Sequence, residues 1–187
     1  MAEGDREHWD ARYREASHSG GPAPDWLAAV ADQWPRSGRA LDVAAGRGRI
    51  ALWLASRGLR VLAADVSPVG LEQAREAARS AGHVLETVTV DLEREALPQG
   101  PFDVITCFHY LQRDLFPALI ERLVPGGCLG CEIATVGNLE RHAHPSRRFL
   151  LERGELAQLC APLEIMHSVE GWFDDRCVAR VIARRPQ

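Results

Sequence analysis

Three carboxylates recur at the ends of short apolar runs: Asp42 in RALDVAA (39–45), Asp65 in LRVLAADV (59–66) and Asp91 in HVLETVTVDLE (83–93). The first is followed by Ala44-Ala45-Gly46-Arg47-Gly48-Arg49, in which glycines at 46 and 48 permit a tight turn and a close approach of ligand to backbone. Asp65 stands about twenty residues on, where a carboxylate can accept both hydroxyls of a ribose. Gly46, Gly48 and Ala51 also satisfy the dinucleotide pattern G-x-G-x-x-A, so the turn alone admits two cofactors. Asp42 separates them. A dinucleotide would set its pyrophosphate on the turn and the helix start behind it, against a carboxylate at the adjoining strand end. S-adenosyl-L-methionine has no phosphate there, and its ammonium and sulfonium are attracted by that carboxylate. The bland role for Asp42 is to cap the turn.

His109 and Tyr110 follow a fourth apolar run, PFDVITCFHY (101–110). His109 is the candidate general base, because imidazole titrates near neutrality; Tyr110 is assigned to loop packing. The irregular stretch VGNLERHAHPSRR (136–148) carries Arg141, His142, His144, Arg147 and Arg148. It reads either as a solvated loop or as a cationic lid over a small anionic or electron-rich acceptor. His142 and His144 have no Cys, Asp or Glu beside them to complete a ligand set, so no metal is expected.

The elements that must hold these groups alternate. Strands are predicted at 39–45, 59–66, 83–93, 101–110 and 128–135, with helices at 49–58, from Ser67 through LEQAREAARSAG, and at about 115–123. Strand–helix alternation of this length implies right-handed crossovers and a parallel sheet covered on both faces. On such a sheet all three acids emerge at one edge, where ligands bind at the strand-order switch. The last quarter differs: a short helix in ERGELAQLC precedes LEIMHSVEGWF and CVARVIARR, two strands whose short connection makes them antiparallel. Ahead of the core, residues 3–16 are polar with Trp9 and Tyr13 on one helical face, SHSGGPAP (17–24) breaks the chain, and Asp25 can cap the helix WLAAVADQW. Trp26, Trp34 and Trp53 are expected in the core, as is Trp172 by default.

Composition removes several function classes. The chain has 187 residues, of which 46% are hydrophobic and 26% charged, so it is neither disordered nor, at that length, more than one domain. No apolar run approaches the roughly 20 residues of a membrane helix, and MAEGDREHWD has no signal-peptide character, which points to the cytoplasm. All 22 basic residues are arginine, yet the net charge is −4, which disfavours a non-specific nucleic-acid binder. The five cysteines are scattered and odd in number; Cys128 and Cys131 have C-x-x-C spacing but lie in a strand-like run, so packing is expected rather than redox chemistry.

LDVAAGRGRIALWLASRG, AADVSP, VDLE, FDVITCFHYL and LVPGGCLGCE, in that order, resemble the motifs of class I S-adenosylmethionine-dependent methyltransferases over residues 39–185. HWDARY and FLLERGEL further resemble the small bacterial tellurite-resistance and thiopurine types. The resemblance implies a three-layer Rossmann-like α/β sandwich whose mostly parallel seven-stranded sheet ends in an antiparallel hairpin. It implies one methyltransferase domain over 1–187, with an N-terminal helical cap (1–36) on a core (37–187). By the same resemblance Ala44, Gly46 and Gly48 hold the methionine part of S-adenosyl-L-methionine, Asp65 with Val66 the ribose, and Asp91 with Leu92 the adenine. Cys107 or Phe108 lines the methionine side chain, and Arg12 near Trp9 meets the cofactor carboxylate. Alanine at 44 departs from the usual glycine and requires an ordinary φ there. The expected partner is a small-molecule methyl acceptor, with no nucleic acid and no membrane, in a monomer or homodimer. The alternatives kept open are a nicotinamide-dependent oxidoreductase and a non-catalytic cofactor-binding regulator.

Overall fold

The computed structural model describes residues 2–15 and 21–187, without the side chains of residues 2–4. The breaker stretch at 17–20 therefore lies outside the described residues. Seven strands form a single sheet, β1 (Arg39–Val43), β2 (Arg60–Asp65), β3 (Leu85–Thr89), β4 (Phe102–Phe108), β5 (Leu123–Ala134), β6 (Glu164–Phe173) and β7 (Arg176–Arg184), in the order β3-β2-β1-β4-β5-β7-β6. β1 pairs in parallel with both β2 and β4, so the chain leaves β1 in opposite directions along the sheet, which creates the switch point between β1 and β4. β7 inserts antiparallel between β5 and β6. The expected three-layer sandwich with a terminal hairpin is the observed fold.

Period-two alternation sorts the strand residues onto two cores. Ala40, Val61, Ala63 and Val104 pack with Leu27 of α2 (Asp25–Ala29), Ile50, Ala51 and Leu54 of α3 (Arg49–Ser56), and Leu71, Ala74 and Ala78 of α4 (Pro68–Ser80). Leu41, Val43, Ile105 and Cys107 pack on the other face with Phe116 and Leu119 of α5 (Phe116–Arg122) and Leu156 of α6 (Glu155–Leu159). Cys128 and Cys131, three apart in one strand, point to these opposite faces, so no dithiol forms; all five cysteines are buried and free. Ser67 caps α4, accepting from the Gly70 N–H at 3.0 Å with Pro68 at the first helical position, as its sequence predicts.

Several boundaries differ from expectation. Asp25 does not cap α2: Pro24 holds the cap position without a side-chain bond, and the helix stops after five residues. β5 takes in Pro125-Gly126-Gly127, ahead of the strand expected at 128–135, because Arg185 and Gly126–Gly127 exchange backbone bonds that extend the sheet. β3 ends at Thr89, so Asp91 sits in the following turn instead of in the strand. α1 (Ala2–Glu15) packs against α4. No helix among the described residues is long and apolar enough to cross a membrane.

Candidate cofactor and acceptor site

The glycine turn joins β1 to α3 and is tied to β2 by Asp65. One oxygen of that carboxylate accepts from the Gly46 N–H and the other from the Ser67 N–H, both at 2.8 Å. Sequence gave the start of α4 to Ser67 alone; Asp65 shares that task and also fixes the turn. A carboxylate has about four acceptor sites, so two remain for hydroxyl donors. Burial pushes the Asp65 carboxyl above its ordinary value, and the backbone N–H groups of Ser67, Gly46 and Val66 oppose that shift.

Asp42 lies one strand away on the same face and is 2% exposed. Its Oδ1 accepts from the Thr106 hydroxyl at 2.7 Å, while its Oδ2 is buried without a hydrogen-bond partner. Burial raises this carboxyl to about 7, only partly offset by Thr106, the Ala51 backbone and the Arg49 guanidinium. Asp91 has the same feature: its buried Oδ2 has no hydrogen-bond partner, and Arg94 Nε is 3.7 Å from that oxygen. Its Oδ1 accepts from the Glu93 N–H at 3.1 Å. Unsatisfied buried carboxylate oxygens are uncommon and call for an explanation, and a cationic, donor-rich ligand is one.

Ala44 contradicts the ordinary φ expected of it, standing at φ 54° in the left-handed region. Its N-terminal neighbour ends β1 and the next residue, Ala45, already donates to Ala64, so the chain must reverse within one residue. Left-handed backbone costs a residue with a Cβ about 1–2 kcal/mol, and glycine loses about 0.4–1 kcal/mol through its freer unfolded chain. Ala44→Gly is therefore expected to leave stability level or raise it by up to about 1 kcal/mol, read from chemical denaturation; a loss of that size contradicts the strain. Gly48 (φ 75°) serves packing as much as ligand approach, since a Cβ there would stand 2.7 Å from the Ala74 Cβ.

α1 covers this turn. Tyr13 lies against it, its hydroxyl 2.6 Å from where a Cβ on Gly46 would stand, and its ring stacks on Trp9 at 5.7 Å. The Arg12 guanidinium lies 5.3 Å from the Trp9 ring, exposed. Asp10, which the sequence reading passed over, is buried and accepts from the Ser67 hydroxyl and, at 3.4 Å, from the Val69 N–H. Its i, i+3 spacing from Tyr13 was the available signal. Val66 follows Asp65 half-buried, and Leu92 follows Asp91 buried. Cys107 is buried on the α5 side and its thiol donates to the Tyr110 carbonyl at 3.4 Å; burial lifts that thiol to about 12, so it stays protonated at neutral pH.

Beyond β4 a cleft of about 270 Å³ is lined by Pro24, Arg49, His109, Glu132, Phe173 and Arg180, with Asp174, Asp175, Arg176 and Val178 completing it. Glu132 organises it: Oε2 accepts from Trp26 Nε1 and Arg180 Nε, each at 2.7 Å, and Oε1 lies 3.4 Å from His109 Nε2. An acid inside the apolar run GCLGCEIA was a legible signal that sequence reasoning did not use. Trp26, expected as core, is half-buried against the α2–α4 core and stacks between Phe108 and His167, with its indole N–H on Glu132. His109 (φ 58°) is pushed down to about 4, first by burial and then by Arg49, Arg176 and Arg180 against the opposing pull of Glu132. The imidazole is thus neutral at neutral pH, and Nε2 lies 3.0 Å from Arg49 Nη2, so its lone pair is engaged by a donor.

The loop at 136–148, read from sequence as a solvated loop or a lid, supplies none of the cleft lining. Arg141 lies over Trp172 at 3.8 Å, His142 Nε2 meets the Asp175 carbonyl at 2.9 Å, and Arg147 pairs with Glu152 at 2.7 Å. Trp172 is accordingly neither core nor cleft wall; it anchors this loop to the hairpin bend.

A parallel sheet with a glycine turn at its switch point and acids at neighbouring strand tips defines an α/β protein built to bind a nucleoside-bearing cofactor. The methyltransferase-domain family matches residues 40–127. Trans-aconitate 2-methyltransferase of Streptomyces coelicolor is 35% identical over 155 residues, 77% of this chain and 50% of that protein. Ribosomal protein L11 methyltransferase of Thermus thermophilus is 35% identical over 103 residues, 54% of this chain and 40% of that protein. TehB from Haemophilus influenzae, 17% identical, superposes with a TM-score of 0.73 over 95% of this chain and 67% of its own. The chain thus spans half the length, or less, of these two sequence relatives. It carries a match to the methyltransferase-domain family over residues 40–127, and its fold is one shared with solved S-adenosylmethionine-dependent methyltransferases, such as that of Mesorhizobium loti (20% identical, TM-score 0.69, 87% of this chain and 99% of that one).

Proposed function

We propose that the chain is an enzyme that transfers a methyl group from S-adenosyl-L-methionine to a small-molecule acceptor by in-line displacement. The observation that supports this reading is the Gly46 turn bonded to Asp65, together with buried carboxylate oxygens on Asp42 and Asp91 that lack a hydrogen-bond partner. In this proposal Ala44, Gly46 and Gly48 cradle the methionine part, and Asp42 offers its field to the ammonium and sulfonium. Asp65 and Val66 take the ribose, Asp91 and Leu92 the adenine, Cys107 borders the methionine side chain, and Trp9 with Arg12 meets the carboxylate. When bound, the cofactor supplies a methyl group already activated on sulfur, so the protein's contribution is alignment of the acceptor in near-attack geometry.

The cleft beside His109 is the acceptor site in this reading. Its volume of about 270 Å³ falls just below the roughly 300–1,000 Å³ of pockets that hold drug-sized ligands, which suits a small acceptor. The relative that acts on trans-aconitate, a small molecule, agrees with this; the relative named for a ribosomal protein does not, and it matches a shorter part of the chain. His109 remains the catalytic candidate. Serving as a base requires its Nε2 to exchange the Arg49 donor for the acceptor's proton; otherwise it orients the acceptor. Residues 1–187 are proposed as one methyltransferase domain, with 1–36 as its cap, acting in the cytoplasm as a monomer or homodimer without nucleic acid.

Incubation with methyl-labelled S-adenosylmethionine and a fractionated metabolite extract tests the reading. Label in a small organic product, with an equimolar amount of S-adenosylhomocysteine, is the expected result. Label confined to protein or RNA overturns the small-molecule acceptor, and cofactor binding with no labelled product overturns the enzyme.

A further inference from the structure

We propose that the acceptor carries at least one carboxylate, held in the cleft by Arg49, Arg176 and Arg180; the inference rests on the methyltransferase reading and names the substrate class of its acceptor site. Three guanidinium groups from two elements, the start of α3 and two points of β7, line one cleft of about 270 Å³. Arg180 is held in place: its guanidinium lies over Phe173 at 3.8 Å and Trp26 at 5.2 Å, with Nε on Glu132. Bonding through Nε leaves the Nη groups to present the planar fork that matches a carboxylate. Arg49 reaches His109 through Nη2, which orients it in the cleft lining. Arg176, exposed at the start of β7, stands at the mouth.

The three acids of the same cleft do not cancel this arrangement. Glu132 is 4% exposed and its Oε2 is committed to Trp26 and Arg180, while Oε1 lies 3.4 Å from His109 Nε2. Asp174 and Asp175 sit exposed on the hairpin bend, and Asp175 lies 3.4 Å from His142 Nε2. Neutral His109 neither adds to nor subtracts from the charge at physiological pH. The charge facing inward, beyond the Glu132–Arg180 pair, is therefore the guanidinium of Arg49; at the mouth Arg176 stands beside Asp174 and Asp175. An ammonium-bearing acceptor would have to stand against Arg49, with the cleft's buried carboxylate, Glu132, already paired with Arg180.

The test uses the full chain saturated with S-adenosylhomocysteine, whose own binding is measured first. Tricarballylate, its neutral trimethyl ester and putrescine are then titrated by calorimetry. Tricarballylate is expected to bind at least about tenfold more tightly than the ester, and Arg176→Ala to weaken it by about tenfold, as loss of a charge-assisted contact does. Arg49→Gln acts in the same direction. The double change Arg147→Ala, Arg148→Ala, on the loop that does not line the cleft, leaves tricarballylate binding unchanged. Arg176 is exposed, so its variant folds, and unaltered S-adenosylhomocysteine affinity verifies this. Equal binding of acid and ester, preference for putrescine, or indifference to Arg176→Ala overturns the proposal while leaving the methyltransferase reading intact. Absence of S-adenosylhomocysteine binding in the first titration overturns that reading, and the proposal with it.

Discussion

Asp65→Asn is expected to weaken S-adenosylmethionine binding by about 100-fold or more and to destabilise the unliganded protein by about 1–3 kcal/mol. The two effects have separate causes. In the unliganded chain both carboxylate oxygens accept backbone N–H groups at 2.8 Å, Gly46 from the glycine turn and Ser67 from the start of α4. An amide can satisfy one of them, but its NH₂ then faces the other donor, and an unsatisfied buried N–H costs about 1–3 kcal/mol. The glycine turn loses its tie to β2 or α4 loses part of its start. The ligand effect follows from chemistry at the remaining lone pairs. Two ribose hydroxyls donating into a carboxylate form charge-assisted bonds of about 1.5–3 kcal/mol each, so their combined loss exceeds a factor of about 100. Denaturation of the free protein and calorimetry with cofactor measure the two quantities independently. Wild-type affinity in Asp65→Asn would remove Asp65 from the ribose contact.

The second large effect concerns proton release. Asp42 is held by burial at about 7 in the unliganded chain, so near neutrality it is roughly half protonated. A cationic ligand beside it favours the charged form and draws its pKa down, so binding expels a proton wherever the free carboxyl is protonated. The sign follows: affinity is full above pH 7, where the carboxylate is already charged, and falls as pH drops through 7. With the free-state value near 7, affinity at pH 6 is expected to be about tenfold below that at pH 8. Asp42→Asn removes most of that slope and weakens binding at pH 8, leaving the smaller contribution of the raised Asp65 carboxyl. Calorimetry in buffers of different ionisation enthalpy counts the released proton directly. An unchanged slope in Asp42→Asn would place the titrating group elsewhere.

The sheet was legible because its strands are apolar runs punctuated by glycine, proline and capping residues, and because Ser67-Pro68 and the short terminal connection leave little topological choice. The strand-tip acids were legible for the same reason: a charged residue closing an apolar run on a parallel sheet has one edge at which to emerge. What was illegible depended on side chains far apart in the chain. Ala44 was expected at an ordinary φ since alanine prefers it, yet the reversal between β1 and α3 overrides that preference. Asp10 is unremarkable in a polar helix, and only the docking of that helix beside Ser67 gives it a partner. The 136–148 loop admitted a lid reading beside that of a solvated loop because its arginines are adjacent in sequence. In three dimensions they are engaged by Trp172, Glu152 and Phe149, and the cleft draws its arginines from positions 49, 176 and 180. Glu132, by contrast, was legible as an acid inside an apolar run, although strand periodicity does not say which face meets a cleft.

Titration of S-adenosylmethionine and of NAD into separate samples of the chain at pH 8 tests the central claim, that acids at adjoining strand tips surround one positively charged adenosyl ligand. One S-adenosylmethionine per chain, displaced by S-adenosylhomocysteine, with no heat from NAD, is the result that follows from the site. Saturable NAD binding with none for S-adenosylmethionine would contradict it.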